Sequence, residues 1–253
     1  MEIESAGALV VGGASGLGEA TARSLAASGA RVVVGDIDEA RALSVADDIG
    51  GLAIRTDVTQ EGNVAAAVDL AAQAPKGLRI SVDCAGIGTP QRLLSRGAVA
   101  PMEGFERTIA VNLLGTIRVL RLASARMAGQ EPLESGERGV CINTASIAAY
   151  DGQIGQVAYA ASKGGVVGLT LPAARDLAQQ GIRVVTIAPG IFDTPLLATL
   201  PEEARDSLGK SVPFPPRLGA PDEFAALVEH IVANGMLNGE VIRLDGALRM
   251  APR

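Results

Sequence analysis

Along this chain, short uninterrupted apolar runs alternate with longer stretches in which apolar residues recur every three or four positions. The first pattern predicts strands buried on both faces, the second amphipathic helices. Strands are expected at 8–11, 31–35, 52–55, 79–84, 139–145, 182–188 and 240–244, most of them rich in Val, Ile and Leu. Helices are expected at 19–27, 39–49, 61–74, 105–127, from Tyr159 to about Gln179, and at 222–234. Such alternation predicts an α/β fold, a doubly wound parallel sheet of about seven strands with helices on both faces and right-handed crossovers. No linker, repeat or low-complexity tract divides residues 1–253, so a single domain is expected.

Two stretches fit neither pattern. Residues 91–101 are irregular and read as a surface insertion. Residues 195–219 are rich in Pro, Leu and Ala, with prolines at 213, 215 and 216 near the end. The segment is long for a connection and reads as a substrate lid, with an ordinary surface helix and loop as the alternative. Its apolar character points to a fatty, sterol or acyl substrate rather than a sugar.

Composition narrows the function. With 48% hydrophobic and 20% charged residues, the chain can form a large core. A net charge of −6 without a basic block argues against nucleic acid, and 2% aromatic residues without Trp leave no stacking platform. His230 and the two cysteines, Cys84 and Cys141, fall in a predicted helix and predicted strands. They are expected to be structural, and they are too few and too scattered for a zinc site, so no metal is expected. No uninterrupted apolar run reaches about 18 residues, so no membrane span is expected. The acidic opening 1–5 leaves no room for a signal or transit peptide, and a cytoplasmic protein is expected.

The chemistry lies at the strand ends. Gly12-Gly13-Ala14-Ser15-Gly16-Leu17-Gly18 joins the first strand to the first helix. Glycines there let the backbone approach a pyrophosphate, and the helix start offers free N–H groups. Asp36, twenty residues after Gly16, ends the second strand, where a carboxylate accepts from ribose hydroxyls and repels a 2′-phosphate. No Arg or Lys stands at Ala14, Ser15, Gly35 or Ile37, so NAD is expected over NADP. Asp38 is better placed than Asp36 as the next helix cap. Asp57 could be a turn carboxylate or a neighbour of adenine. The small residues Ala85-Gly86-Ile87-Gly88 after the fourth strand would let a dinucleotide run across the sheet.

Tyr159 and Lys163 lie four apart in Tyr159-Ala160-Ala161-Ser162-Lys163, on one helix face. Ser146 stands thirteen residues upstream, just past the predicted strand end. A free phenol titrates near pH 10, and an ammonium roughly 4 Å away at an effective dielectric of about 20 favours the phenolate by roughly 4 kcal/mol. Hydroxyl, phenol and ammonium together make a proton-transfer site. Asn112, between Val111, Leu113 and Leu114, needs partners or costs roughly 1–3 kcal/mol. A structural role or a water-holding role would satisfy it. A methyltransferase would leave Tyr159, Lys163 and Ser146 idle, and a non-catalytic nucleotide sensor would carry a defective set. A serine hydrolase is excluded because Ser15 lacks the second elbow glycine and His230 is the sole imidazole.

Together these residues resemble the classical short-chain dehydrogenase/reductase family over nearly the whole chain. Gly12, Gly16 and Gly18 resemble its cofactor glycines, and Cys84-Ala85-Gly86 its N-A-G segment. Asn112, Ser146, Tyr159 and Lys163 resemble its catalytic tetrad, and Pro189-Gly190 with Thr194 its nicotinamide loop. Val11 in place of Thr, and Asp83-Cys84 in place of an Asn pair, depart from the pattern and touch local stability more than chemistry. The runs 142–146, 151–156, 187–192 and 238–247 are similar to the family's 3-hydroxyacyl-CoA dehydrogenase branch.

The resemblance implies a Rossmann-type fold and NAD-dependent interconversion of a secondary alcohol and a ketone in a homotetramer. The implied substrate is short or branched 3-hydroxyacyl-CoA, with hydroxysteroids or other apolar alcohols as the alternative. By the same matching, Ser15, Leu17, Asp36, Asp57, Val58, Cys84, Tyr159, Lys163, Phe192 and Thr194 would touch NAD. Tyr159 would take the hydroxyl proton and Lys163 would assist it and bind the nicotinamide ribose. Ser146 would hold the substrate oxygen with help from Gln153, and Asn112 would hold a water. Arg92, Arg96, Arg205, Lys210 and Arg217 are available for CoA phosphates.

Overall fold

A computed structural model describes residues 1–95, 97–195, 197 and 201–252. Strand and helix alternate as β1 (Gly7–Val11), α1 (Gly16–Ala27), β2 (Arg31–Asp36), α2 (Glu39–Ile49), β3 (Leu52–Arg55), α3 (Glu61–Ala71) and β4 (Leu78–Asp83). A small antiparallel ribbon of β5 (Leu94–Ser95) and β6 (Ala98–Val99) follows. Then come α4 (Glu103–Ile109), a π-helical turn (Ala110–Gly115), α5 (Thr116–Ala128) and β7 (Gly139–Thr144). The chain continues through α6 (Val157–Leu177), β8 (Ile182–Pro189), α7 (Glu202–Lys210), α8 (Pro221–Ala233) and β9 (Val241–Leu244).

Seven parallel strands form one sheet in the order β3-β2-β1-β4-β7-β8-β9. The order reverses between β1 and β4, and the crevice beyond the carboxyl ends of strands at such a point is where open α/β sheets bind ligands. Each face of the sheet carries its own core. Val10, Val34, Ile142 and Val185 pack with Leu25 of α1 and with Phe224 and Ile231 of α8. Leu9, Val33, Cys141 and Val184 pack with Val68 of α3 and with Val119 and Met127 of α5. The register Val11↔Asp83, Asp83↔Asn143, Asn143↔Thr186 lays a row of mostly polar side chains on that second face.

One expectation needs correction. Cys84 lies just past β4 rather than in it, because the strand ends where Asp83 turns its carboxylate back to the Ala85 N–H. Within the segment expected as a lid, residues 202–210 form a regular helix, α7; residues 196 and 198–200, and Arg96, lie outside the described residues. The helix Glu103–Ala128 is, by length and composition alone, apolar enough to cross a membrane. A few interspersed charges break the run without removing its apolar average. In the fold this helix packs on α3, α6, β4 and β7.

Arg183 of β8 carries a structural load that its place in an apolar run hides. It is buried, its Nε donates to Glu137 Oε1 at 2.7 Å, and its Nη1 and Nη2 donate to the carbonyls of Ile231, Val232, Asn234 and Leu237 at 2.8, 3.0, 3.3 and 3.0 Å. A helix leaves its last carbonyls without intrahelical donors, and this guanidinium supplies them at the end of α8. Arg183→Leu should cost about 3–5 kcal/mol, since Glu137 and the carbonyls lose their buried partner. Thermal unfolding should show a fall of about 10 °C; a fall of only a degree or two would mean that water replaces the guanidinium.

Candidate active site

The loop after β1 is shaped by close backbone approach. Gly12 has φ +73°, and a Cβ there would stand 2.7 Å from Ala85 N. A Cβ on Gly18 would fall 2.0 Å from the Gly12 carbonyl oxygen. The loop thus lies backbone on backbone against 84–85 and the start of α1. Ser15, the extended N-cap residue of α1, makes no side-chain cap bond, so the helix keeps N–H groups for an anion. This cradle fits a dinucleotide pyrophosphate.

Asp36 is fixed at the end of β2. Its Oδ2 accepts the Ala14 N–H at 3.0 Å and its Oδ1 the Asp38 N–H at 3.0 Å, which ties the carboxylate to the glycine loop. Asp38 caps α2 through the Arg41 N–H at 3.1 Å, as expected. Asp57 takes the turn role. Its Oδ1 accepts the Thr59 hydroxyl at 2.7 Å and the Thr59 N–H at 2.9 Å, bonds that hold the carboxyl below its ordinary range. The Val58 side chain is buried in the core, so only its main chain can meet a ligand.

On the other side of the switch point, the Cys84 N–H bonds to Val11 O at 2.8 Å and its Sγ accepts the Thr144 hydroxyl at 3.6 Å. Burial pushes its thiol up to about 12, so it is not a nucleophile. A Cβ on Gly86 would meet Asn112 Oδ1 and Lys163 Nζ, each at 3.5 Å. Glycine there leaves the space beside these two groups open.

Asn112 sits fully buried in the π-helical turn. Its Oδ1 accepts the Ile87 N–H at 2.8 Å, and its Nδ2 donates to Ile87 O at 2.9 Å and Ser162 Oγ at 3.2 Å. One side chain stitches the loop after β4 to α6, and π-turns inside α-helices recur at functional sites. Its carbonyl accepts the Thr116 hydroxyl at 2.9 Å.

Ser146 follows β7 and is almost buried, with its Oγ accepting the Ala148 N–H at 3.1 Å. Lys163 of α6 is 4% exposed and donates from Nζ to Thr144 O at 2.7 Å, two residues before Ser146. Tyr159, one turn earlier on α6, is half-buried. Main-chain acceptors such as the Thr144 carbonyl carry no residue signature, and sequence reasoning missed it. Thr116 and Asn143 were missed too, for they read as ordinary helix and strand positions.

The remaining expected residues fall as follows. Gly190, after Pro189 at the end of β8, donates its N–H to Leu244 O at 2.9 Å. Thr194 lies over the glycine loop, its Cγ2 3.2 Å from where a Gly16 Cβ would be. The Phe192 ring is buried against Gly219, so it too can meet a ligand only through its main chain. Gln153 Nε2 donates to Ala251 O at 2.9 Å, and its N–H goes to Gln156 Oε1 at 3.0 Å, so its amide holds the C-terminal segment. Arg205 pairs with Asp193 at 2.6 Å and Arg217 with Glu223 at 2.8 Å. With Lys210 these two line a cleft of about 340 Å³ beside α7.

Comparison with known proteins agrees with this geometry. The short chain dehydrogenase family model matches residues 6–205. The chain is 51% identical over 254 residues to 3-hydroxyacyl-CoA dehydrogenase type-2 of Drosophila melanogaster, covering 99% of this chain and 100% of that protein. The crystal structure of 3-hydroxyacyl-CoA dehydrogenase type-2 from Mycobacterium avium superposes with a TM-score of 0.95 at 49% identity, covering 98% of both chains. A 3-ketoacyl-(acyl-carrier-protein) reductase from Brucella melitensis, complexed with NADH, gives 0.83 at 32% identity over 98% of this chain and 100% of that one. The chain belongs to the short-chain dehydrogenase family and is an oxidoreductase.

Proposed function

We propose that this protein oxidises short or branched 3-hydroxyacyl-CoA to the 3-oxoacyl-CoA with NAD. One observation carries the reading: a buried Lys163, anchored on the Thr144 carbonyl, stands one turn from Tyr159 at the open end of the sheet. The names of the two 3-hydroxyacyl-CoA dehydrogenase type-2 relatives support the substrate class.

Gly12, Gly16 and Gly18 with the start of α1 would hold the pyrophosphate, and Asp36 the adenosine ribose. When bound, the dinucleotide supplies a nicotinamide ring that accepts the carbinol hydrogen as hydride. The chain does the rest. Ser146 orients the carbinol oxygen, and Tyr159 takes the hydroxyl proton. Lys163 places positive charge beside the phenol and holds the nicotinamide ribose, while Asn112 keeps the loop after β4 and the proton path in register. Asp36 would repel a 2′-phosphate, since like charges brought together cost affinity.

The remainder of the reading is a single catalytic domain with a substrate-covering segment near 195–219, assembled as a cytoplasmic homotetramer. Exposed Leu114, Ile117, Val157 and Leu171 on the helices around the site support assembly, and unpaired Cys84 and Cys141 support a reducing compartment.

The test is a spectrophotometric panel of 3-hydroxybutyryl-CoA, its 2-methyl analogue and a 17β-hydroxysteroid with NAD and with NADP. The expected result is NAD reduction with the acyl-CoA substrates, and kcat/KM for NAD about tenfold or more above NADP. Absence of NAD reduction with either acyl-CoA would overturn the assignment.

A further inference from the structure

Ser146 and Tyr159 stand at the two ends of one connection. It runs through a short 3-10 turn (Ile147–Ala149), the loop 150–156 and the first residues of α6. The spacing of hydroxyl and phenol therefore depends on how this connection is held. Main-chain bonds close its first part, with the Ala149 N–H on Ser146 O at 3.0 Å and the Tyr150 and Asp151 N–H groups on Ile147 O at 2.9 Å. From Asp151 to the start of α6 the chain is irregular, and its hold comes from elsewhere in the fold.

Most of that hold comes from β9 and the segment 245–252 that follows it. Arg243 of β9 donates from Nη2 to Asp151 Oδ2 at 2.9 Å, and its guanidinium carbon lies 4.9 Å from the centre of the Tyr150 ring. The same guanidinium holds the following segment, through Nε to Asp245 Oδ2 at 2.7 Å and Nη2 to Leu248 O at 3.0 Å. That segment meets the connection at three more points. Leu248 is buried against Ile147, the residue after Ser146, together with Val212. Gln153 Nε2 donates to Ala251 O at 2.9 Å, and the Ile154 N–H to Pro252 O at 3.1 Å. On the opposite side, the Gln91 N–H bonds to Gly155 O at 2.7 Å.

The side chains of Arg243 and Asp151 are 21% and 22% exposed and that of Asp245 is 7% exposed. Partly buried pairs of this kind are screened less by salt than pairs on the open surface. Arg243 is thus the one side chain that grips both the loop and the segment packed under it.

We propose that Arg243 is a positioning residue for the reaction: by tying the segment after β9 to the connection between Ser146 and Tyr159, it sets the spacing of hydroxyl and phenol. The proposal rests on the reading of those two groups as the reacting pair. Arg243 acts through Asp151 and Tyr150 rather than on the reacting atoms. Without the tie the connection samples other spacings, and a misplacement of about 1 Å at reacting groups costs roughly a hundredfold in rate.

The test uses two variants. Asp151→Asn keeps the side-chain shape and removes its charge, and Arg243→Met keeps an apolar stem and removes the guanidinium. With NAD and 3-hydroxybutyryl-CoA, well below the unfolding temperature, kcat should fall about tenfold in the first and about a hundredfold in the second. NADH affinity of Asp151→Asn should stay within about twofold of the parent, because the loop shares no partner with the glycine loop or Asp36. The double variant should be no slower than Arg243→Met, since both changes cut one tie. Amide exchange read by mass spectrometry should quicken over 147–158 in both variants and stay unchanged over 7–18.

Parent-like kcat in a folded Asp151→Asn protein, rate losses that multiply in the double variant, or unchanged exchange over 147–158 would overturn the proposal and leave Arg243 a role in stability alone. Should Arg243→Met fail to fold, Asp151→Asn decides the matter by its kcat and exchange. A parent that turns over no acyl-CoA, with the exchange difference intact, would count against the substrate assignment while upholding the tie.

Discussion

Tyr159→Phe is expected to bind NADH as the parent does and to lose about three orders of magnitude in turnover, the scale of a lost general base. The change removes one oxygen from a half-buried ring and leaves α6, the Lys163–Thr144 bond and the glycine loop in place. Fluorescence titration with NADH and steady-state rates separate the two effects. Retained turnover would move the base to another group, and with it the whole proton path. Lost NADH binding would show that the phenol holds the dinucleotide rather than moving its substrate's proton.

Gly18→Ala should act on the other half of the site. A Cβ there would sit 2.0 Å from the Gly12 carbonyl oxygen and 3.0 Å from Gly13 Cα, so both sides of the clash are backbone and no rotamer relieves it. The start of α1 must shift away from the loop it packs on. The expected cost is about 1–3 kcal/mol of stability. Dinucleotide affinity should fall about a hundredfold, because a misplaced helix start withdraws the N–H groups from the phosphates. Gly62, in α3, has open space around its Cα, and Gly62→Ala should instead stabilise by about 0.5–1 kcal/mol. Calorimetric titration with NAD and thermal unfolding of both variants decide the point. Equal behaviour of the two would mean that the glycine loop is plastic.

Strand and helix periods carried most of the architecture. The bounds of α2 and β3 match the expected ranges because Asp38 and a left-handed Gly50 bracket the helix and the strand follows at once. The site residues were legible where a residue type is itself the signal, as with Gly12, Asp36, Ser146, Tyr159 and Lys163. What stayed hidden rests on backbone or on context. The two-residue strands β5 and β6 are too short to show a period. Arg183 reads as one polar residue in a strand, and only the end of α8 explains it.

The π-helical turn at Ala110–Gly115 has a consequence for how this region can vary. In an ideal helix each residue advances the chain by about 100° around the axis. Deleting any one of these six residues would let the turn relax to regular α-helix, at no evident cost to the segment itself. Yet either Asn112 would swing away from Ile87 and Ser162, or α5 would rotate its Val119 and Met127 off the sheet. Divergence here should proceed by exchange of side chains at constant length, and a functional homologue with a gap across the segment should be rare.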